Sequence, residues 1–136
     1  MKELFSSSRL YYRCSIMCSD SDGDLWETLD VGFDVLQRLV VAMWYYNDCH
    51  KEDNCAVSAV LDRDETIQLA RRLKVPVEEL PQKISESEVF EEYRHIVNAD
   101  LADVEECFKL ATDFLVDEGC HFKIIREPGK HGYCRF

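Results

Sequence analysis

Two hydrophobic rhythms run along this chain. Leu10, Tyr12, Cys14, Ile16 and Cys18 alternate with Tyr11, Arg13, Ser15 and Met17, a period of two that predicts a strand. The next segment reads at the helical period. Trp26, Leu29, Phe33, Leu36, Val40, Met43 and Trp44 form one stripe, and Asp24 with Glu27 has capping-box spacing. A long first helix ending near Asn47 is therefore expected as the central core piece, followed by a polar loop over 47–54. Cys55 to Leu61 is short, apolar and β-branched at Val57 and Val60, which predicts a strand. Asp62 and Glu65 form another box, opening a helix on Ile67, Leu69, Ala70 and Leu73 that Pro76 ends.

Val89, Phe90, Tyr93, Ile96 and Val97 fall at i, i+1, i+4, i+7 and i+8. With Ser85 and Glu88 as a third box they predict a helix over 86–97. Leu101, Val104, Phe108, Ala111 and Leu115 repeat the pattern, with Asp100 as cap and Gly119 as the residue past the end, so 101–118 is the last helix. His121 to Glu127 reads as a strand, Pro128-Gly129-Lys130-His131-Gly132 as a turn, and Tyr133 to Phe136 as the returning strand. That hairpin is expected to pair with the Cys55–Leu61 strand or with the N-terminal strand. The expected fold is α+β: about four helices with a small, mainly antiparallel sheet that includes the C-terminal β-hairpin. Residues 1–136 are expected to form one domain, with 1–22 as a flexible or edge-strand N-terminal segment.

Charge changes the picture more than composition does. The net charge is −11 over 136 residues, and it is unevenly placed. Residues 85–118 carry eleven carboxylates against Arg94 and Lys109, a net −9, whereas 119–136 carry +3. The helical period inside the acidic run makes it a folded surface rather than a solvating tail. This balance disfavours nucleic acid, where Lys and Arg supply most of the affinity. It favours fast, salt-sensitive association with a basic partner. The longest apolar run, Leu39 to Tyr46, falls far short of the ~20 residues that span a bilayer, so no membrane is expected. Seven cysteines at irregular spacing make a poor disulfide framework, and the N-terminus lacks an apolar signal stretch with a small-residue cleavage site. A reduced, cytoplasmic protein with free thiols is the expectation.

Candidate chemistry narrows little. Asp20-Ser-Asp22-Gly23-Asp24 hints at a calcium loop, but aligning Gly23 to its glycine puts Cys18 and Leu29 where carboxylates belong. Cys49, His50 and Cys55, with Cys120, His121, His131 and Cys134, show no C-x2-C knuckle, so no metal or other cofactor is expected. Gly129-Lys130-His131-Gly132 lacks the spacing and hydroxyl of a phosphate loop. No pair of carboxylates stands out as acid and base, and no catalytic residue is assigned.

The stretch Thr66-Ile-Gln-Leu-Ala-Arg-Arg-Leu-Lys-Val-Pro-Val-Glu-Glu-Leu-Pro resembles the helix-turn-helix units of bacterial repressors. Ala70, Leu73, Val75 and Leu80 match the packing positions. Lys74 replaces the usual turn glycine, Pro81 interrupts the would-be recognition helix, and Glu78 and Glu79 stand where base-reading side chains are expected. The resemblance implies a nucleic-acid-associated regulator, while the departures favour a hairpin used for packing.

The reading best supported by sequence is a small acidic binding or inhibitor-type protein whose helical face over 85–118 docks on a basic protein partner. The expected contacts are Glu91, Glu92, Asp103, Glu106, Asp113 and Asp117. An anion site at Lys123, Arg126, Lys130 and His131 is the alternative location. A transcriptional or nucleic-acid-associated regulator built on 66–84 and a small Cys/His enzyme or metal protein are the alternative functions.

Overall fold

A computed structural model describes residues 10–19, 23–132 and 134–136. Five antiparallel strands lie side by side in chain order: β1 (Tyr11–Cys18), β2 (Leu25–Phe33), β3 (Leu39–Asn47), β4 (Cys55–Leu61) and β5 (Lys123–Glu127). Between β4 and β5 the chain forms α1 (Arg63–Leu73), α2 (Leu80–Ser85) and α3 (Leu101–Asp117), with 3-10 turns at Val77–Glu79 and Glu88–Tyr93. The α+β expectation holds, with a larger sheet than the sequence suggested. In the C-terminal hairpin only the first strand is present. Residues 134–136 are not in a strand, and Tyr133 lies outside the described residues.

The expected long helix over 24–47 is replaced by the β2–β3 hairpin. The helical stripe read across this segment was a coincidence of spacing. Leu39 to Tyr46 is a continuous apolar run containing Val40, Val41 and three aromatic residues, which suits a central strand buried on both faces. Glu27 is therefore a strand residue, not part of a helix cap. The turn between the strands has its own chemistry. The Asp34 carboxylate accepts from the backbone N–H groups of Leu36 and Arg38, each at 3.0 Å, and pairs with the Arg38 guanidinium at 2.8 Å. Leu36, assigned to the buried stripe, is exposed at this turn.

Alternation then sorts the strands into two faces. Leu29, Val31 and Phe33 of β2, Leu39, Val41 and Met43 of β3, and Val57, Ala59 and Leu61 of β4 form the inner face, under the helices. Val40, Ala42 and Val60 lie on the outer face with Leu10. Gly32 is where β1 comes closest to β2. A Cβ there would sit 2.9 Å from the Tyr11 carbonyl oxygen and 3.0 Å from the Leu10 Cβ, so any larger residue would push the edge strand away.

The helices cover the inner face. Asp62 caps α1 by accepting from the Glu65 N–H at 2.8 Å, and the helix ends with Lys74 left-handed at φ 61. A lysine thus holds the conformation for which glycine was expected. Pro81 opens α2 within its first turn rather than interrupting a helix, and α2 buries Leu80, Pro81 and Ile84 beneath β1 and β2. Ser85 ends α2 and does not cap the next element. Ser87 caps a 3-10 turn at Glu88–Tyr93, where a helix over 86–97 was expected. Phe90 alone of that apolar set is fully buried, and Val89, Ile96 and Val97 face solvent.

α3 forms as its sequence predicts. Asp100 and Asp103 make a reciprocal capping box, and Gly119 follows the helix at φ 79. Val104, Cys107, Ala111 and Leu115 are buried, while Phe108 is only half-buried against the core. The packing distinguishes two neighbouring residues of the last turn, Leu115 at 0% exposure and Val116 at 60%. Leu115→Ala should cost about 2–5 kcal/mol, and Val116→Ala should stay within about 0.5 kcal/mol. Equal denaturant midpoints for the two variants would disprove this orientation of α3.

Candidate functional site

The acidic run is a folded, solvent-facing surface, but its carboxylates are not equivalent. Asp103 is half-buried and committed to the capping box with Asp100. Asp113 pairs with Lys109 at 3.0 Å, and Glu91 pairs with Arg94 at 2.6 Å. Glu105 turns away from this surface to meet Arg135 at 2.7 Å. That leaves Glu86, Glu88, Glu92, Glu106 and Asp117 exposed with no ion pair among the described residues.

These charges have a focus that the sequence did not show. Burial raises the pKa of the Tyr93 hydroxyl, and the nearby Glu106, Glu92 and Asp103 carboxylates raise it further. Three carboxylates from two segments thus act electrostatically on one half-buried tyrosine. The acidic run also contributes to a groove of about 450 Å³, lined by Leu73, Phe114 and Val89 with Glu86, Glu88, Ser87 and Lys83. Exposed Val89, Ile96, Val97 and Val116 stand among the carboxylates.

The alternative cations do not converge. Lys123 is in register with Val60 of the outer face, whereas Arg126 is in register with Val57 of the inner face. Lys130 and His131 lie beyond β5, beside the loop at 51–53. The backbone N–H of Lys130 donates to the Glu52 carbonyl at 2.7 Å there, and the Glu52 carboxyl is held below its usual range by a backbone hydrogen bond first, with His50 and His131 adding to it. A second concavity, about 580 Å³, lies at the opposite end of β1, between Tyr11, Tyr12, Phe33, Val35, Val77 and Arg63. Its charges largely cancel, because Asp34 is held by Arg38 and Arg63 is opposed by Glu78. No three His, Cys, Asp or Glu side chains among the described residues are grouped to hold a metal ion, and no helix there is long and apolar enough to cross a membrane. The calcium-like stretch at 20–22 lies outside the described residues.

A buried polar row at the other end of the sheet was not legible in the sequence. Glu27, Tyr45 and Cys55 are cross-strand neighbours on β2, β3 and β4 and point to the inner face. Arg135, from the end of the chain, closes over them. Its Nε lies 3.1 Å from Glu27 and 2.7 Å from Glu105, and its guanidinium lies 5.6 Å from the centre of the Tyr45 ring. Glu27 is 0% exposed. Burial first, then the adjacent Glu105 carboxylate, push its pKa up to about 9 against the pull of Arg135. Known proteins supply no analogy for either site: no family, curated protein or solved structure matches the chain.

The Glu27 proton links stability to pH. Its folded pKa lies above the unfolded value, so its contribution is complete below about 4.5 and is lost as pH rises through about 9. Wild type should lose stability between pH 5 and 9, at most about 1.4 kcal/mol per pH unit from this group. Glu27→Gln should remove that part of the slope. Parallel pH–stability curves for the two proteins would show that Glu27 is ionised in the fold.

Proposed function

We propose that the protein is a binding or inhibitor-type module whose acidic surface over 85–118 docks on a basic protein partner. The observation that carries this reading is the set of Glu92, Asp103 and Glu106 carboxylates acting on Tyr93, with neither Glu92 nor Glu106 in an ion pair among the described residues, although Lys109 attracts Glu106. Like charges held together repel and cost stability. A partner's Lys or Arg would relieve that repulsion and could stack on the Tyr93 ring. The exposed apolar residues beside the cluster support docking over a solubility role. Solubility needs charge alone, whereas protein interfaces combine apolar anchors with a polar rim. The groove by Phe114 and Val89 suits an apolar side chain flanking the partner's cations.

The nucleic-acid reading loses support from the fold. α2, which would be the recognition helix, is six residues long and buries Leu80, Pro81 and Ile84, so it cannot enter a groove without leaving the sheet. The metal-protein reading finds no group of three His, Cys, Asp or Glu side chains among the described residues to support it.

Changing Glu92, Glu106 and Asp117 to Lys tests the proposal, since none of the three is a cap or an ion-pair partner. The triple variant should melt within a few degrees of wild type. Its association with partners captured by the wild-type surface should slow by about tenfold or more at low salt, with the difference shrinking as salt screens the field. Unchanged association at low salt would reduce the acidic surface to a solubility device.

A further inference from the structure

We infer that Cys55 and Cys134 form a reversible disulfide that latches the C-terminal segment onto the start of β4. Seven free thiols are present, and five have other neighbours. Cys107 lies against the Met17 sulfur at 3.5 Å, Cys120 accepts from Arg72 at 3.5 Å, and Cys49 donates to Asp24 at 3.0 Å. Cys14 and Cys18 donate to the carbonyls of Tyr12 and Ser19. The Cys55 and Cys134 side chains act on each other instead.

Backbone geometry fixes this meeting. The N–H of Arg135 donates to the Cys55 sulfur at 3.4 Å, and the Cys134 Cα is only one carbonyl carbon away from that nitrogen. The two residues are thus neighbours across this contact, and a disulfide, which spans a Cα separation of about 4.4–6.8 Å, is the bond that such an approach favours. The Arg135 guanidinium, tied to Glu27 and Glu105, and the half-buried Phe136 hold the segment in place on the other side.

The two thiols divide the chemistry. Cys55 is buried, and its pKa is pushed up to about 11, chiefly by that burial. Cys134 is half-exposed and meets a soluble oxidant first. With glutathione disulfide as the oxidant, the Cys134 thiolate attacks one sulfur, the glutathione S–S bond breaks and one glutathione thiolate leaves. The Cys55 sulfur, losing its proton, then attacks the Cys134 sulfur and expels the second glutathione. Two protein thiols are oxidised, one glutathione disulfide is reduced to two thiols, and the two thiol protons pass to the departing glutathiones. The Arg135 N–H stabilises the Cys55 thiolate as it forms. This inference is independent of the acidic-surface proposal.

The test equilibrates the full chain with mixtures of reduced and oxidised glutathione, traps remaining thiols with N-ethylmaleimide and digests with trypsin. Cleavage places Cys55 on the peptide 52–63 and Cys134 on 131–135, each without another cysteine. The expected product is the linked pair of these peptides, reversed by excess reduced glutathione. Its formation should raise the melting temperature by about 5 °C or more, because a long loop is closed. Cys134→Ser, at a half-exposed site, should abolish the link and leave Cys55 reduced. A glutathione adduct at Cys134 that never resolves, or linkage of either peptide to a different cysteine, would overturn the inference.

Discussion

The register of the β2–β3 hairpin is the constraint on which the rest of the molecule depends. Phe33 stands opposite Leu39, and the Asp34 carboxylate closes the five-residue turn between them by accepting from two backbone N–H groups. A slip of β2 by one residue would turn Leu29, Val31 and Phe33 away from the helices and bring Asp30 and Thr28 into the core. With the register fixed, the inner face of the sheet is a continuous apolar surface, and fully burying each Leu or Val there contributes about 1.5–3 kcal/mol. α1, α2 and α3 exist in their observed positions because that surface must be covered. α1 and α3 carry their charges because their other sides face water.

The same register explains the polar row at the sheet's far end. Glu27 follows the alternation that buries Leu29 and Val31, so the backbone places a carboxyl inside before any partner is considered. The fold satisfies it by bringing Glu105 from α3 and Arg135 from the chain terminus. The end of the chain is thereby tied to its second strand, and α3 is tied to both. Removing one partner of such a buried set leaves another uncompensated, so the group holds together only as a unit.

Sequence reading succeeded where one local signal was uncontested. The caps at Asp62 and Asp100, with a clean helical period after each, placed α1 and α3 within a residue or two. The β-branched run at Cys55–Leu61 placed β4, and strict alternation placed β1. It failed over 24–47 because a stripe of large apolar residues happened to match the helical period. Gly32 in mid-segment, Asp34 as a turn residue and the unbroken run Leu39–Tyr46 all pointed to two strands. Over 86–97 the apolar spacing was helical, yet the chain makes only a 3-10 turn there, and three of the five apolar residues remain in water. The acidic surface was legible as charge, but its focus was not. Glu92, Asp103 and Glu106 from two elements all act on Tyr93, while Glu105, Asp103 and Asp113 are committed to Arg135, a cap and a lysine. The meeting of Glu27, Cys55 and Arg135 joins three segments far apart in the chain, and no local pattern encodes it.

Function turns on whether the Tyr93 cluster is a contact surface. Zero-length carbodiimide cross-linking of the wild-type protein to a captured partner, with the joined peptides mapped by mass spectrometry, reads carboxylate-to-lysine contacts directly. The account predicts links from Glu92 and Glu106 to partner lysines, with further links from Glu88 or Asp117 and none from the buried Glu27. Links confined to carboxylates around the Tyr11–Tyr12 end of the sheet, such as Glu78, would contradict it and move the docking surface to that concavity.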